Sequence, residues 1–448
     1  MHTITIHTRY LKLPALLLLC FMFHAAALAA AYADQSDPKQ NNERVFDLDA
    51  PPKPSIRLTD ELRFGINALS EFMWEDNFDL DNREPDDKSV IQPSVEIAFR
   101  YVPIEKISAF VDFEVLHEIV EKETGDDERE REEKTKLQVK QVYVLFDEVI
   151  DGLDLKVGRQ RFKDEREWLY DEELDGVRLF YGFWRLGLDL SASVKNDPDL
   201  LHGWEEDEIT NYAAFFNYCP IDDNIISAFA FYRHDRSDEE ERPIFYGVSL
   251  VGEAVKHLEY WAELASVDGK SGDDDIRGFG GDAGATYTFK LPLRPSITVG
   301  YAFGTGDDDP SDDVDENFRQ TGLQDNDAAF AGITRFKYYG EAFDPELSNM
   351  GIATAGIGIK PNRSFSLDLV YHYYHQHELS DEIRDVEIEM DPSGLERELG
   401  HEIDLIVGYR TRKHFRASVA VGYFLPGDAF PDDADEALFG EVKLQVFF

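Results

Sequence analysis

Residues 158–171 read GRQRFKDEREWLYD, with two guanidinium groups, Arg159 and Arg161, two positions apart on one extended stretch. The chain around them carries 91 Asp and Glu against 45 Lys and Arg, a formal net charge of −46. Guanidinium groups make paired, charge-assisted hydrogen bonds to carboxylates, so the question is which carboxylates these two face. No Ser/His/Asp or comparable set stands out elsewhere, and the chain does not read as an enzyme. His372, His375 and His377 share one segment, but HYYHQH surrounds them with aromatic rings, as in an interfacial girdle rather than a metal site. Acid runs such as GDDDPSDDVDE (306–316) have charge suited to Ca²⁺, yet none completes a binding-loop motif, so they read as solvated surface. No cofactor is expected, and the charge disfavours nucleic acid as a partner.

The elements that must hold these arginines follow from the ends of the chain. Arg9 and Lys12 precede LPALLLLCFMFHAAALAA and a small-residue AYA before Asp34, the pattern of a removed signal peptide over residues 1–33. Cys219 is then the single remaining cysteine, which excludes an intramolecular disulfide and a cysteine-based metal cluster. No later segment approaches the roughly 18 apolar residues of a membrane helix, so entry into a membrane requires a closed barrel. The final ALFGEVKLQVFF alternates accordingly: Leu438, Val442, Leu444, Val446 and Phe448 share one face, with Glu441, Lys443 and Gln445 on the other. Similar alternation recurs at Val95/Ile97/Phe99/Tyr101, Tyr212/Ala214/Phe216/Tyr218 and Phe365/Leu367/Leu369/Tyr371.

Connections alternate between short (PIEK 103–106, PIDD 220–223, KPNR 360–363) and long. The long ones include NFDLDNREPDDK (77–88), ETGDDEREREEK (123–134), NDPDLLHGWEEDE (196–208), DGKSGDDDIRG (268–278) and PGDAFPDDADE (426–436). The fold class is therefore all-β, a transmembrane antiparallel β-barrel with short periplasmic turns and long acidic outer loops. Parity of direction along the chain gives about 18 strands, provided residues 306–349 form one loop. The domain reading is a signal peptide (1–33), a polar periplasmic leader (34–58) and the barrel (59–448). Inward groups on this alternation include Lys136, Gln138, Lys140, Asp112, Glu114, Glu259, Glu263, Asp368, Glu402 and Asp404. Leu155 and Val157 should face lipid, but Arg159 and Arg161 share their parity. A charge on the lipid face costs about 2–4 kcal/mol at mid-bilayer. Either a bulge at Gly158 flips the register, or the strand leaves the membrane there.

Four stretches carry a resemblance to a family: VGRQRFKDEREWLYDEELDGV (157–177), FRQTGLQDNDAAFAGITRFKYYGEAFDPELSN (318–349), GHEIDLIV (400–407) and GYFLPGDAF (422–430). They resemble the outer-membrane alginate export porins of Gram-negative bacteria, in order over most of the chain. The resemblance implies an 18-strand barrel in the cell outer membrane, surrounded by lipid and lipopolysaccharide. It implies loops folded into the lumen, and passive export of an anionic exopolysaccharide received from a periplasmic scaffold. By position it implies a substrate path along Lys140, Arg161 and Arg335, with Arg159 adjacent and Asp171 holding the cations. Gln92, Asp344 and Ser418 or Ala420 stand where the family pattern has arginine, which thins the positive ring. The alternatives are a diffusion porin for small solutes and, from another class, an outer-membrane lipid-modifying enzyme.

Overall fold

The computed structural model describes residues 45–448 except 84–85, 125–127, 237–239 and 412–413. The alternation resolves into a closed antiparallel barrel of 18 strands. The first nine are β1 Leu62–Asp76, β2 Lys88–Ile104, β3 Ile107–Thr124, β4 Glu128–Ile150, β5 Leu153–Lys163, β6 Asp171–Phe183, β7 Leu186–Asp199, β8 Gly203–Tyr218 and β9 Asn224–Asp235. The rest are β10 Ile244–Val255, β11 Leu258–Ser271, β12 Asp274–Thr288, β13 Ser296–Gly304, β14 Met350–Asn362, β15 Phe365–Gln376, β16 Glu398–Arg410, β17 Phe415–Pro426 and β18 Ala437–Phe447. β1 pairs with β18 from Asn67↔Phe447 to Asp76↔Leu438, which closes the sheet on itself. Outward positions such as Val115, Phe216, Leu264, Val299 and Ile357 are exposed apolar groups, whereas Asp112, Glu263, Asp368, Glu402 and Asp404 are buried on the inside. Tyr371, Tyr373, His375 and His401 stack into one aromatic belt on the outer face.

Three of the expected long loops are mostly strand. β3 runs to Thr124 and β4 begins at Glu128; β7 ends at Asp199 and β8 begins at Gly203; β11 ends at Ser271 and β12 begins at Asp274. Charges there pair across the strands, Arg131 lying 2.9 Å from Glu121 and Lys270 2.6 Å from Asp275, and Arg131 also lies 2.6 Å from Glu133 on its own strand. Opposite charges that face one another on a ladder favour extension over coil. Among the described residues, extended loops include 164–170, 305–349, 377–397 and 427–436, along with 77–83.

The wall opens at one place. β4 carries a bulge there, because Asp112↔Gln141 is followed by Phe113↔Val139 and Lys140 is the extra residue. β5 pairs with β4 only as far as Arg159, and β6 pairs with β7 only from Asp175. Beyond those points Gln160–Lys163 and Asp171–Leu174 pair only with each other. β4 and β7 meet across the gap, with Gln138↔Asp199 paired and Leu200 N donating to Leu137 O at 2.8 Å. The tip of the β5–β6 hairpin thus bends out of the wall into the bore. Gly158 is the hinge: its φ is 125°, and a Cβ there would lie 2.2 Å from Val142 O. Arg159 and Arg161 thus escape lipid in a way that differs from both expected routes: the ladder keeps its register through Gly158, the bulge lies on β4 at Lys140, and the strand leaves the wall for the bore.

The inner face is less uniformly polar than alternation suggests. β8 to β11 present Phe215, Phe229, Phe231, Phe245 and Trp261 inward, where they pack against the inserted segments. The leader also enters the bore. Ile56–Arg57 pairs with Phe64 and Arg63, and upstream Phe46 bridges to Thr334 while Gln445 donates to Leu48 O at 2.8 Å. The expected signal peptide and residues 34–44 lie outside the described residues.

Candidate functional site

The inward hairpin tip is a short apolar sequence mounted on charge. Trp168, Leu169 and Tyr170 are buried, and removing such surface from water contributes roughly 1.5–3 kcal/mol per large side chain. Trp168 stacks on Phe318, and its Nε1–H donates to Tyr339 OH at 3.1 Å. Tyr170 contacts Phe215 on β8 and Phe231 on β9. Arg166 lies between the Trp261 and Tyr338 rings, 4.3 and 4.1 Å from their centroids, and donates to Asp282 at 2.9 Å. The Asp164 carboxylate accepts from the backbone N–H groups of Arg166, Trp168, Leu169 and Tyr170, which closes the turn on itself.

The loop 305–349 packs onto this tip through the motifs that carried the family resemblance. In QTGL, Gln320 Nε2 donates to Trp168 O at 2.9 Å and the Thr321 hydroxyl donates to Leu169 O. In GEAF, the backbone N–H groups of Ala342 and Phe343 donate to Glu402 at 2.6 and 3.1 Å, and Phe343 stacks on Phe424. Gly340 has φ 120°, and a Cβ there would lie 2.2 Å from Tyr374 OH. In ELSN, Glu346 accepts from Gln320 N at 2.6 Å and Leu347 N donates to Gln320 Oε1 at 3.1 Å. Each motif therefore seats an inserted loop.

Three cations and four carboxylates meet where tip, loop and leader converge. Arg161 holds Asp171 through both Nε and Nη2, and its Nη1 donates to Asp49 O at 2.9 Å and lies 3.5 Å from Asp47. Lys163 lies 2.8 Å from Asp47 and 3.5 Å from Asp171, and pairs with Glu167. Arg335, from the loop, reaches Glu167 at 2.6 Å and Asp327 at 3.7 Å. Lys140 is one ladder step away, 3.3 Å from Glu173, which is the cross-strand partner of Arg161.

Of the residues expected along a substrate path, Arg161, Arg335 and Asp171 come together and Lys140 borders them. Arg159 is placed differently. Its Nε donates to Val139 O at 2.8 Å and its Nη1 to Asn196 O at 2.9 Å, carbonyls of β4 and β7 where the ladder is interrupted. That side chain stitches the seam left by the departing hairpin.

Lys163, Lys337, Lys443 and Asp47 complete the charge network without having been singled out from sequence. Lys163 shares the parity of Arg161, a signal that was available. Lys337 lies 2.5 Å from Asp325 and 3.1 Å from Asp344; Lys443 lies 3.3 Å from Glu71 and 3.1 Å from Glu441. Lys337 thus places a cation beside Asp344. Gln92 donates to Glu118 at 2.7 Å.

Electrostatics in the inserted segments follows from this pairing. Burial opposes the charge on Asp47, but Arg161, Lys163 and Arg335 outweigh it and hold the carboxyl below its ordinary value. Burial, with Asp327 nearby, pushes Glu167 up to about 9 despite Arg335. Burial pushes Asp327 up to about 7, again against Arg335. A cavity of about 340 Å³ opens beside the network, bounded by the leader, the loop, β1, β17 and β18. Nine carboxylates and four cations line it, along with Ser418 and Ala420. A larger cavity, about 980 Å³, faces the short turns and includes Arg294, Lys360, Arg363 and Arg410 in its lining.

The model of the alginate export family matches residues 60–439. The chain belongs to the alginate export family. Among curated relatives, the alginate production protein AlgE of Pseudomonas aeruginosa is 28% identical over 233 residues, covering 43% of this chain and 46% of that protein. AlgE of Azotobacter vinelandii is 34% identical over 129 residues, 26% of this chain and 27% of the relative. The chain thus spans less than half the length of these two relatives. Solved structures agree on the fold across nearly the whole chain. OccK7 of P. aeruginosa has a TM-score of 0.60 at 10% identity, covering 87% of this chain and 99% of that one. The outer membrane protein OprD of the same organism has a TM-score of 0.54 at 10% identity, covering 92% and 96%. Such low identities speak to the fold alone. The family member described here is an outer-membrane barrel.

Proposed function

We propose that this barrel is a passive outer-membrane channel for export of an anionic, alginate-like polyuronate. The observation that carries the reading is the Arg161–Lys163–Arg335 cluster, held inside the bore by loops whose packing motifs are those of the alginate export family. A polymer with one carboxylate per sugar needs positive potential along its path but no deep site, since a deep site would stop its movement. Guanidinium and ammonium groups already shared among Asp47, Glu167 and Asp171 suit this, because an incoming carboxylate exchanges with an existing partner. A periplasmic secretion scaffold delivering the polymer, and lipopolysaccharide around the barrel, complete the reading.

A second reading, a diffusion porin preferring cations or small solutes, is favoured by the excess of carboxylates around the 340 Å³ cavity. Planar-bilayer conductance separates the two. An exporter is blocked by uronate oligomers and not by neutral oligosaccharides of equal length, and Arg161→Ala weakens that block. Cation selectivity without any block by uronates would sink the export reading in favour of the porin.

A further inference from the structure

The segment Phe46–Ala50 crosses the bore at the cation cluster, and its sequence there is Phe-Asp-Leu-Asp. Its backbone is held on both sides. Phe46 N donates to Ile333 O at 2.8 Å, Asn67 Nδ2 donates to Ala50 O at 3.2 Å, and Gln445 donates to Leu48 O. Phe46 and Leu48 are buried with Ile333, which anchors the segment through its apolar positions. The chain turns here, with the Asp47 carboxylate accepting from Asp49 N–H at 3.0 Å while Leu48 between the two acids is buried. Asp47 lies between Lys163 at 2.8 Å and Arg161 at 3.5 Å. Arg161 also donates to the carbonyl of Asp49, and the Asp49 carboxylate lies within electrostatic reach of Lys443.

From this geometry we infer that Phe46–Ala50 is a built-in pseudo-substrate, its Asp47 carboxylate occupying a carboxylate subsite formed by Arg161 and Lys163. The inference rests on the export reading and deepens it, by naming a subsite and the group that must leave it. The segment supplies what a uronate chain supplies at this subsite, a carboxylate carried on a chain that crosses the bore. Asp171 differs in kind. It is on the same hairpin as Arg161, directly beside it, and holds the guanidinium in place whatever occupies the bore. The segment is also tied to the barrel at Ile56–Arg57 through pairing with β1, so displacing Asp47 breaks the side-chain bonds from Asn67 and Gln445 but leaves the wall's strand ladder intact. A polyuronate entering from the short-turn end would exchange its carboxylates for Asp47, and the segment would re-enter when the polymer has passed.

The test uses the full barrel in planar bilayers, as wild type, Asp47→Asn and Asp49→Asn, with heat-modifiable electrophoretic mobility as the check on folding. Reversal potentials in KCl report the charge of the bore, and half-blocking concentrations of a uronate oligomer of defined length report the subsite. Asp47→Asn should shift selectivity toward chloride and lower the half-blocking concentration by about tenfold, the equivalent of one charge-assisted competitor removed. Asp49→Asn, which leaves the Arg161 and Lys163 side-chain pairs intact, should act in the same direction by less and serves if Asp47→Asn does not fold. Block of the wild type that both variants leave unchanged or weaken would overturn the pseudo-substrate and leave the export reading standing. Absence of block in the wild type and both variants would overturn the export reading, and the subsite with it.

Discussion

The tetrapeptide Asp-Glu-Arg-Glu occurs twice, at 127–130 and 164–167, with opposite fates. The first copy opens β4 at the outer end of the β3–β4 hairpin; of its residues, Asp127 lies outside the described structure. That hairpin runs straight on from the wall, and its next charges, Arg131 and Glu133, stay about half exposed. In the second copy Arg166 is 5% and Glu167 1% exposed, inside the bore. The four residues are the same, so the context decides. After the first copy come REEKTK, which water solvates. After the second come Trp168, Leu169 and Tyr170, which must be buried, and they draw the preceding charges in with them. The buried charges are then tolerated because each meets a partner: Arg166 meets Asp282 and two rings, Glu167 meets Lys163 and Arg335.

The sharpest way to break the contrast is to remove the apolar half of the second context. Trp168→Ala should cost about 3–5 kcal/mol of packing in the inserted tip, as large-to-small changes at buried aromatics do. The tip would then be free to follow its own charges toward water, as the outer hairpin does. The checks are a raised single-channel conductance and protease sensitivity within 164–170, with the barrel itself still resistant. An unchanged conductance would show that the charges, not the rings, hold the tip. Next in size is Arg159→Ala, which leaves the carbonyls of Val139 and Asn196 without their donor where β4 and β7 meet. A loss of about 1–3 kcal/mol is expected, the cost of stranded buried acceptors. It should appear as a lower temperature for heat-modifiable mobility, with uronate block affected little. A large loss of block with normal heat stability would return Arg159 to the substrate path.

This contrast also shows what could be read from the chain alone. Strand number, closure and direction were legible because a period of two repeats through every wall segment and leaves a mark in each. The parity conflict at Arg159 and Arg161 was legible as a local break, and it falls where the hairpin leaves the wall. The destination of the tip was not, because the Phe215, Phe231 and Trp261 faces that receive it lie on strands far away in sequence. The outer extensions of β3–β4 and β7–β8 were read as loops since acid runs look like coil until their cross-strand cations are known. Asp47 was hidden for a related reason: a short polar leader has no periodicity, and only Arg161 and Lys163 give it a place.

A gentler way to sharpen the comparison is pH, which should act on the buried copy and spare the exposed one. Asp327 is pushed up to about 7 in the folded tip–loop assembly, mainly by burial, from an ordinary carboxyl value near 4 when released. The packed state therefore binds more protons than the released one. Its stabilisation is fully present at the acid end, declines as pH rises above about 4, and is exhausted once pH passes about 7. Glu167, pushed up to about 9, acts in the same direction and extends the window upward. Open probability should rise over this range, and Asp327→Asn should flatten the part below about 7. A channel whose open probability falls as pH rises from 5 to 7 would contradict this assignment.

The smallest effect belongs to the exposed hairpin. Arg131 pairs with Glu121 and Glu133 at 2.9 and 2.6 Å, closer than many buried pairs, yet its side chain is 47% exposed. Water screens such a pair and both partners lose side-chain freedom in making it, so Arg131→Ala should change barrel stability by about 0–1 kcal/mol. Removing it also leaves Glu121 and Glu133, on neighbouring strands, without the cation they share, which favours fraying of the hairpin end over any change in the bore. Conductance, selectivity and uronate block should stay within error of the wild type, and 0.5 M salt should erase what stability difference there is. A substantial change in block from Arg131→Ala would mean that the polymer meets this hairpin on its way out, and that burial is not what separates the two copies.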